Sequence, residues 1–336
     1  MYSMLNRTAK ILIAGGLLGA MLLTGCGSDA PKKEAATTKG YPISWKENFE
    51  GHDVDFKIDK APTRAVSMSQ ATTEMLLALG LEKNMVGTAF KEEEIYPPLQ
   101  EAYGKVPVLA DKWPSYEVFM TAKPDFTTGW PDSFSKRAIE ADKLVANHVA
   151  IWLPESMLST KADLETNFQD MLELGRIFNV NDRAEKWVAD QRAMLKQVQS
   201  KIKGLPVKRV FIYDSEDGQP FTAFEGYTTN ILKLIGAQNV MSGLGVDKTW
   251  AKGSWETVVE QNPDYFIIAD YGNSIRNDDD FQGKIAKIKA NPQLKNINAV
   301  KQNHFIRVKL SEITPGVRTV SALKRLAEEI HGVKIE

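Results

Sequence analysis

The 336-residue sequence has no excess of basic residues and few histidines. Its 42 Lys and Arg are offset by 43 Asp and Glu, which leaves a formal charge of −1 and no basic face to neutralise nucleic-acid phosphates. The four histidines are scattered along the chain, with no pair at metal-ligand spacing, and this disfavours a zinc or manganese site built from protein side chains. We therefore expect neither a nucleic-acid partner nor a metal ion bound directly by the protein.

The sequence also lacks the short signatures of common enzymes. It has no Gly-x-Ser-x-Gly elbow, no Gly-x-Gly-x-x-Gly after a strand-like run and no Walker-type phosphate loop, and "GLGVDKT" at 243–249 only superficially resembles the last. The acidic runs at 92–94 and 278–280 are interpreted as solvated loops or helix ends. The expectation is a protein without enzymatic activity and without an intrinsic cofactor.

Cysteine is almost absent, and the position of Cys26, the one cysteine, is informative. Arg7 and Lys10 precede an apolar run, Ile11–Leu23, that is shorter than the roughly 20 residues a membrane-spanning helix needs. Its length suits a secretory signal, and its end, "LTGC", resembles the bacterial lipobox. We predict a signal peptide over 1–25 and lipidation of Cys26. An exported protein anchored by lipid to the outer face of the cytoplasmic membrane, or to the periplasmic side of a bacterial membrane, follows from this.

A small, polar segment separates the lipobox from the rest of the chain. The sequence "GSDAPKKEAATTKG" at 27–40 has no aromatic residue, which predicts a flexible tether over 26–42. With no second cysteine, the exported chain has no disulfide, so its stability must come from packing.

The remaining sequence predicts an α/β fold with the same organisation twice. Residues 43–59 alternate apolar and polar positions on either side of Gly51 and predict a β-hairpin. From Arg64 and again after Pro206, short apolar runs alternate with helical stretches, a pattern typical of parallel sheets flanked by helices. We predict two similar α/β lobes with parallel-type central sheets, over 43–180 and 205–336.

A long helix is predicted between these lobes. Residues 161–203 contain almost no helix breaker, and apolar residues recur at three- and four-residue intervals after Asp182, a candidate N-cap. A helix over 181–204 that ends at Gly204 would be about 30 Å long. It would link the lobes rigidly and leave a cleft between them. The alternative is a long helix lying on a single domain.

One short motif occurs twice in the chain. "SYEVFMTAKPDF" at 115–126 returns as "SWETVVEQNPDY" at 254–265, each a short helix followed by Pro-Asp and a strand. Ser115 and Ser254 are candidate N-caps, which places Glu117 and Glu256 in the first helical turn. The helix dipole favours a carboxylate there by about 0.3–1 kcal/mol, which is one sufficient explanation of both acids.

The segment "PTRAVSMSQATTEMLLALGLEKNMVGTA" at 62–89 is similar to the opening of the helical-backbone, class III substrate-binding proteins of ABC importers for ferric siderophores, cobalamin and haem. The resemblance extends over roughly 58–332 and includes "PDF", "PDY", "KRVFIYD" and "TPGVRTVSAL". It implies a monomeric binding subunit that captures a metal chelate, first a ferric siderophore and next a corrinoid or haem. It also implies delivery to an ABC permease dimer with its ATPase subunits. A ligand sensor or scavenger lipoprotein that works without a transporter is the alternative from another class.

The resemblance also implies roles for particular residues. In cobalamin-binding members, a glutamate near the start of the short helix in each lobe meets arginines of the permease, and the matching residues are Glu117 and Glu256. Trp130 and Trp250 match positions that face the ligand. The residues predicted to contact ligand are Ser69, Gln70, Phe90, Trp113, Trp130, Phe221, Phe224, Tyr227, Trp250, Tyr271 and Arg318.

Charge and metal coordination leave the ligand open. Arg318 would either hold an anionic group of the ligand or satisfy the turn at a helix start. Other cations available for an anionic siderophore are Lys248, Lys252 and Arg276. A haem would need an axial ligand, for which the candidates are Met68, Tyr227 and Tyr271.

Overall fold

The structure, a computed structural model, describes residues 40–271 and 280–336. This part of the chain begins with a β-hairpin. Strands β1 (Ile43–Phe49) and β2 (His52–Ile58) pair antiparallel, as the alternation at 43–59 predicts. Gly51 has a φ of 92° in the turn, a conformation that glycine adopts without a steric cost. The hairpin is tied to the first lobe because Trp45 Nε1 donates to the carbonyl of Ile151 at 2.8 Å. The signal segment, Cys26 and residues 27–39 of the tether lie outside the described residues.

The first lobe is built on a five-stranded parallel sheet, whose four strands other than the edge strand at Val108–Ala110 are almost entirely buried, as is typical of parallel sheets covered on both faces. Along the chain the strands are β3 (Ala65–Ser67), β4 (Met85–Ala89), β5 (Val108–Ala110), β6 (Phe126–Thr128) and β7 (Ala150–Trp152). Their order in the sheet is β5-β4-β3-β6-β7. The helices of this lobe are α1 (Gln70–Ala78), α2 (Gln100–Tyr103), α3 (Tyr116–Thr121), α4 (Ala141–Val145) and α5 (Leu164–Ile177). Short 3-10 turns lie at Glu82–Asn84, Pro97–Leu99, Pro131–Phe134 and Glu155–Met157.

The long helix between the two sheets is α6 (Asn181–Ile202), whose 22 residues span about 33 Å. Its N-cap is Val180 and not Asp182, which lies in the first turn, where its negative charge suits the helix dipole. The helix ends at Ile202: the C-cap Lys203 already leaves the helical path, with a ψ of 125°, and Gly204 follows with a φ of 81°.

The second lobe contains a four-stranded parallel sheet and a smaller antiparallel one. The parallel strands are β8 (Lys208–Tyr213), β11 (Ala237–Asn239), β13 (Tyr265–Ala269) and β14 (Phe305–Val308), in the order β11-β8-β13-β14. The antiparallel strands are β9 (Ser215–Asp217), β10 (Gln219–Ala223) and β12 (Trp250–Lys252), in the order β12-β10-β9. The helices are α7 (Tyr227–Lys233), α8 (Trp255–Gln261), α9 (Phe281–Ala290), α10 (Asn298–Lys301), α11 (Leu310–Ile313) and α12 (Thr319–His331).

The two-lobed α/β architecture with parallel central sheets is confirmed, with one difference in the second lobe. The antiparallel sheet of β9, β10 and β12 is not predicted by the strand–helix alternation of the sequence. Helices α5 and α12 both pack on α6, so that the connection is buttressed from both lobes. Among the described residues, no helix combines the length and apolarity needed to span a membrane. The lobe boundaries at 180 and 205 remain a proposal.

Candidate ligand cleft and docking face

A cleft lies where the parallel strands of both lobes end. It holds two cavities of about 340 and 550 Å³, and they share a strip of wall, so they form one continuous space. Most residues of the strip follow the carboxyl end of a strand, which is where open α/β sheets place their ligands. The shared residues are Phe90, Glu92, Trp130, Tyr271, Leu310 and Thr314.

The wall from the first lobe is a pair of stacked aromatic rings. Phe90 and Trp113 lie 4.5 Å apart between ring centroids with an interplanar angle of 13°. Trp113 Nε1 donates to the carbonyl of Met68 at 2.9 Å, which fixes the indole plane. Phe90 has a φ of 58°, in the left-handed region that is unfavourable for a bulky residue. The surrounding contacts therefore hold its ring against the cleft at a cost in backbone energy.

The wall from the second lobe is aromatic as well. Phe221 on β10 and Trp250 on β12 stack at 6.2 Å with an interplanar angle of 16°. Tyr227 also lines the larger cavity, but its hydroxyl lies 2.8 Å from Thr319 Oγ1. Burial raises the pKa of Tyr227, so the phenol stays neutral at physiological pH. The cleft thus presents flat apolar surfaces from both lobes.

A buried lysine supports the floor of the cleft. Tyr271, which lines both cavities, donates its hydroxyl to Asp214 at the end of β8. Lys284 is only 1% exposed, lies 4.6 Å from the centroid of the Tyr271 ring and donates to the carbonyls of Asp214 and Ala269. These two bonds hold the Lys284 amino group against the Tyr271 ring and the strand ends beneath it.

Four of the eleven predicted ligand contacts lie on neither cavity. Ser69 is fully buried and caps α1, accepting from the backbone N–H of Thr72 at 3.2 Å. Phe224 is buried in the apolar core of the second lobe. Gln70 and Arg318 are buried in a polar network that joins the lobes. Their side chains are therefore engaged inside the protein, which corrects the prediction that they face the ligand.

The network of Gln70 and Arg318 instead holds the loop that follows β4. Gln70 Oε1 accepts from the backbone N–H groups of Glu92 at 2.9 Å and Glu93 at 2.8 Å, and its Nε2 donates to Glu74 at 3.0 Å. Arg318 Nε donates to the other oxygen of Glu74 at 2.8 Å. Burial alone would lower the pKa of Arg318, but hydrogen bonding and charge from Glu74 outweigh it and raise the pKa, so the guanidinium remains charged.

The shared strip also contains an acidic group that was not predicted from the sequence. Glu92 belongs to a run interpreted as solvated, and only Glu94 of that run is highly exposed. Glu92 Oε2 accepts from Trp130 Nε1 at 3.4 Å, and burial raises the pKa of Glu92 to about 7. The signal that would have located it is its place directly after the strand end and Phe90.

The cations at the cleft are also different from those predicted. Lys248 and Lys252 line neither cavity, and Lys252 pairs with Asp217 at 2.8 Å. Arg276 lies outside the described residues. The cations on the cavity surfaces are Lys91, Lys112 and Arg137. Within the described ranges, no group of three or more His, Cys, Asp or Glu side chains could hold a metal ion.

The repeated motif forms the same capped helix in each lobe. Ser115 Oγ accepts from the backbone N–H of Val118 at 3.3 Å, and Ser254 Oγ accepts from that of Thr257 at 3.1 Å, which confirms both predicted N-caps.

Neither glutamate of the motif lines the cleft. Glu117 and Glu256 are exposed and lie in the first turns of α3 and α8. Hydrogen bonds from its own backbone N–H and from Ser115 lower the pKa of Glu117, so this carboxylate is ionised at neutral pH. The structure gives the two acids the same local setting in the two lobes and no contact with either cavity.

Comparison with known proteins identifies the family to which the chain belongs. The model of the family described as periplasmic binding protein matches residues 66–310. The chain belongs to the periplasmic binding protein family.

Full-length relatives and solved structures agree with this assignment. The chain is similar to an uncharacterized ABC transporter substrate-binding lipoprotein, YvrC of Bacillus subtilis strain 168, with 26% identity covering 94% of this chain and 95% of that protein. A petrobactin-binding protein of the same organism, YclQ, is 22% identical and covers 90% of both chains. The crystal structure of a periplasmic binding protein from Veillonella parvula DSM 2008 is 77% identical, with a TM-score of 0.86 over 88% of this chain and 100% of that one. Other matched proteins are named for vitamin B12 or haem.

These findings define the class of activity of this periplasmic binding protein. It is a substrate-binding component of the ABC-transporter kind, and its relatives include proteins named for petrobactin, vitamin B12 and haem. Its homologues are transport components and not enzymes, and substrate-binding proteins of this kind work with permease and ATPase subunits.

Proposed function

We propose that this periplasmic binding protein captures a ferric siderophore outside the cytoplasm and delivers it to the permease dimer of an ABC importer. The observation that carries the proposal is the cleft between the lobes, with stacked aromatic rings on each side and two joined cavities. Cavities of about 340 and 550 Å³ suit a large ligand that binds mainly through apolar faces and a few polar groups. The metal would arrive inside the ligand and needs no coordinating site on the protein.

A corrinoid is the second candidate. Its flat macrocycle suits the two aromatic pairs, and its neutral amide side chains need no arginine. The engagement of Arg318 with Glu74 favours such a ligand, because that guanidinium is not on the cleft surface. Haem is third: the hydroxyls of Tyr227 and Tyr271 are hydrogen-bonded within the protein, and Met68 is fully buried.

Delivery would use the two exposed glutamates. Glu117 and Glu256 stand on matching helices of lobes that α6 joins, so their separation would change little while the chelate binds. Two exposed carboxyl groups held in this way suit pairing with two arginines of a two-fold permease, which mainly gives orientation and association rate. We propose lipid attachment at Cys26 as the membrane anchor, and a monomer as the working form.

Absorption spectroscopy tests the ligand class directly. Protein purified from its native host, and ligand-free protein mixed with a ferric trihydroxamate, cyanocobalamin or haem, would be compared by visible spectrum and by quenching of tryptophan fluorescence. Bands of a ferric siderophore together with saturable quenching are the expected result. Absence of binding to all three chelates would contradict the proposal, and binding without stimulation of a reconstituted importer would favour the transporter-independent sensor.

A further inference from the structure

Glu92 is a carboxyl group without an ionic partner in the strip shared by the two cavities. In the described part of the chain it accepts one side-chain hydrogen bond, from Trp130 at 3.4 Å, and it forms no salt bridge. Its backbone is fixed because Gln70 Oε1 accepts from its N–H at 2.9 Å. The carboxyl group is therefore held beside the aromatic walls with oxygen atoms available to a ligand.

Three other acids of the cleft, Glu93, Asp214 and Asp132, are already engaged. Glu93 accepts from Ser311, and Arg318 lies 3.4 Å from it. The Asp214 carboxylate accepts from Tyr271 and also from Ser215, the latter at 2.8 Å, and its backbone carbonyl accepts from Lys284.

At the larger cavity, Asp132 forms an ion pair with Arg137. Asp111, at the smaller cavity, is exposed to solvent. Glu92 differs from all of these, because it is partly buried and has no described cation in contact.

The partly buried Glu92 carboxyl responds to the charge of a ligand group placed against it. Removal from water and the nearby carboxylates of Glu93 and Glu74 raise the pKa of Glu92 to about 7, so a ligand cation or N–H donor would stabilise its ionised form. An anionic ligand group at the same place would leave two acceptors facing each other in a poorly solvated wall, which is unfavourable.

We propose that Glu92 selects metal chelates by charge, accepting those that place an ammonium or amide N–H group beside the aromatic walls and disfavouring those that place a carboxylate or catecholate there. The proposal rests on the proposed function, since it presumes that the cleft takes a metal chelate. It names the chemical class of that chelate: neutral or cationic, such as an amine-bearing ferric trihydroxamate or an amide-bearing corrinoid.

Two pairs of ligands that differ in one charged group test the proposal. The first is ferrioxamine B, which has a free ammonium group, and its N-acetyl derivative. The second is cyanocobalamin and its monocarboxylic acids, in which one amide becomes a carboxylate. Dissociation constants would be measured by tryptophan quenching for the wild type, Glu92→Gln and the control Glu94→Gln. Glu94 is on the same loop, and its side chain is exposed near Lys309.

For at least one pair, we expect the wild type to bind the more positive member about tenfold more tightly, equivalent to about 1.4 kcal/mol. Glu92→Gln should bring that ratio close to one, while Glu94→Gln should keep it. A ratio that survives Glu92→Gln, or equal wild-type affinity for both members of each pair, would overturn the charge selection and leave the proposed function intact. Failure of ferrioxamine B, cyanocobalamin and haem alike to bind would instead overturn the proposed function, and the charge selection with it.

Discussion

Arg318 Nε donates to Glu74 Oε2 at 2.8 Å, across 244 positions of sequence. The bond joins the N-terminus of α12 in the second lobe to α1 in the first, and both side chains are at least 95% buried. Glu74 Oε1 also accepts from the backbone N–H of Tyr96 at 3.0 Å. The pair therefore links the lobes and anchors the loop that carries part of the ligand wall.

Replacing Arg318 by Met should destabilise the protein strongly. The change leaves the Glu74 carboxylate buried without its cation, for which about 3–5 kcal/mol is typical. Urea unfolding of the ligand-free protein measures the loss. The double variant Glu74→Gln with Arg318→Met removes the unpaired charge and should recover part of the stability. A single variant within about 1 kcal/mol of the wild type would contradict this account of the pair.

The fold was largely predictable because its signals are local. The hairpin around Gly51, the strand–helix alternation and the capped helices starting at Ser115 and Ser254 are each encoded within a dozen residues. The antiparallel pairing of β10 with β12 was not predictable, since it joins residues 219–223 to 250–252 with no turn signal between them. The periodicity of apolar residues shows which face of a segment is buried, but it does not show which distant strand the segment pairs with.

The same limit applies to the cleft. Phe90, Trp113, Trp130, Phe221, Trp250 and Tyr271 line it because aromatic residues at strand ends meet at one edge of each sheet. Arg318 was a candidate for an anionic ligand because its distant partner Glu74 cannot be identified from sequence. Glu92 was overlooked because acidic runs are usually solvated, whereas the hydrogen bond that its backbone N–H donates to Gln70 holds this residue at the cleft.

The pKa of Glu92 predicts a measurable pH dependence of stability. Its usual value of 4.5 rises to about 7 in the folded protein, so the folded state binds the proton more tightly than the unfolded state. The contribution to the free energy of unfolding is full below about pH 4.5 and is lost as the pH rises to about 7.

We therefore expect the stability of the wild type, relative to Glu92→Gln, to fall by up to about 3 kcal/mol over this range and to stay level outside it. Urea unfolding of both ligand-free proteins at half-unit pH intervals gives the difference curve. A curve that is flat between pH 4.5 and 7 would show that folding does not raise the pKa of Glu92.

Trp250 and Phe224 should respond to alanine substitution in opposite ways. Trp250 is partly exposed and stacks on Phe221 in the cleft wall, so Trp250→Ala should weaken chelate binding about tenfold or more with little loss of stability. Phe224 is 3% exposed in the core, so Phe224→Ala should cost about 3–5 kcal/mol of stability. Isothermal titration and urea unfolding of both variants separate the two effects. Wild-type affinity of Trp250→Ala for every chelate would show that this wall does not contribute to binding.

Glu117 and Glu256 should affect transport without affecting binding. Each carboxylate is exposed and lines neither cavity, so Glu117→Ala combined with Glu256→Ala should leave chelate affinity unchanged and abolish ligand-stimulated ATPase activity of the reconstituted importer. Each single variant should reduce the stimulation in part, because one lobe would still engage an arginine of the permease.

Matched controls come from exposed glutamates elsewhere on the same lobes. Glu260 is exposed on α8, the helix that carries Glu256, and Glu101 is exposed on α2 of the first lobe. Alanine at these positions makes the same change of charge without altering the two first turns, so stimulation should stay at the wild-type level. Equal losses in the control and test variants would mean that net negative charge, and not the two capped helices, drives docking. Loss of chelate affinity with normal coupling would instead place Glu117 and Glu256 in ligand capture.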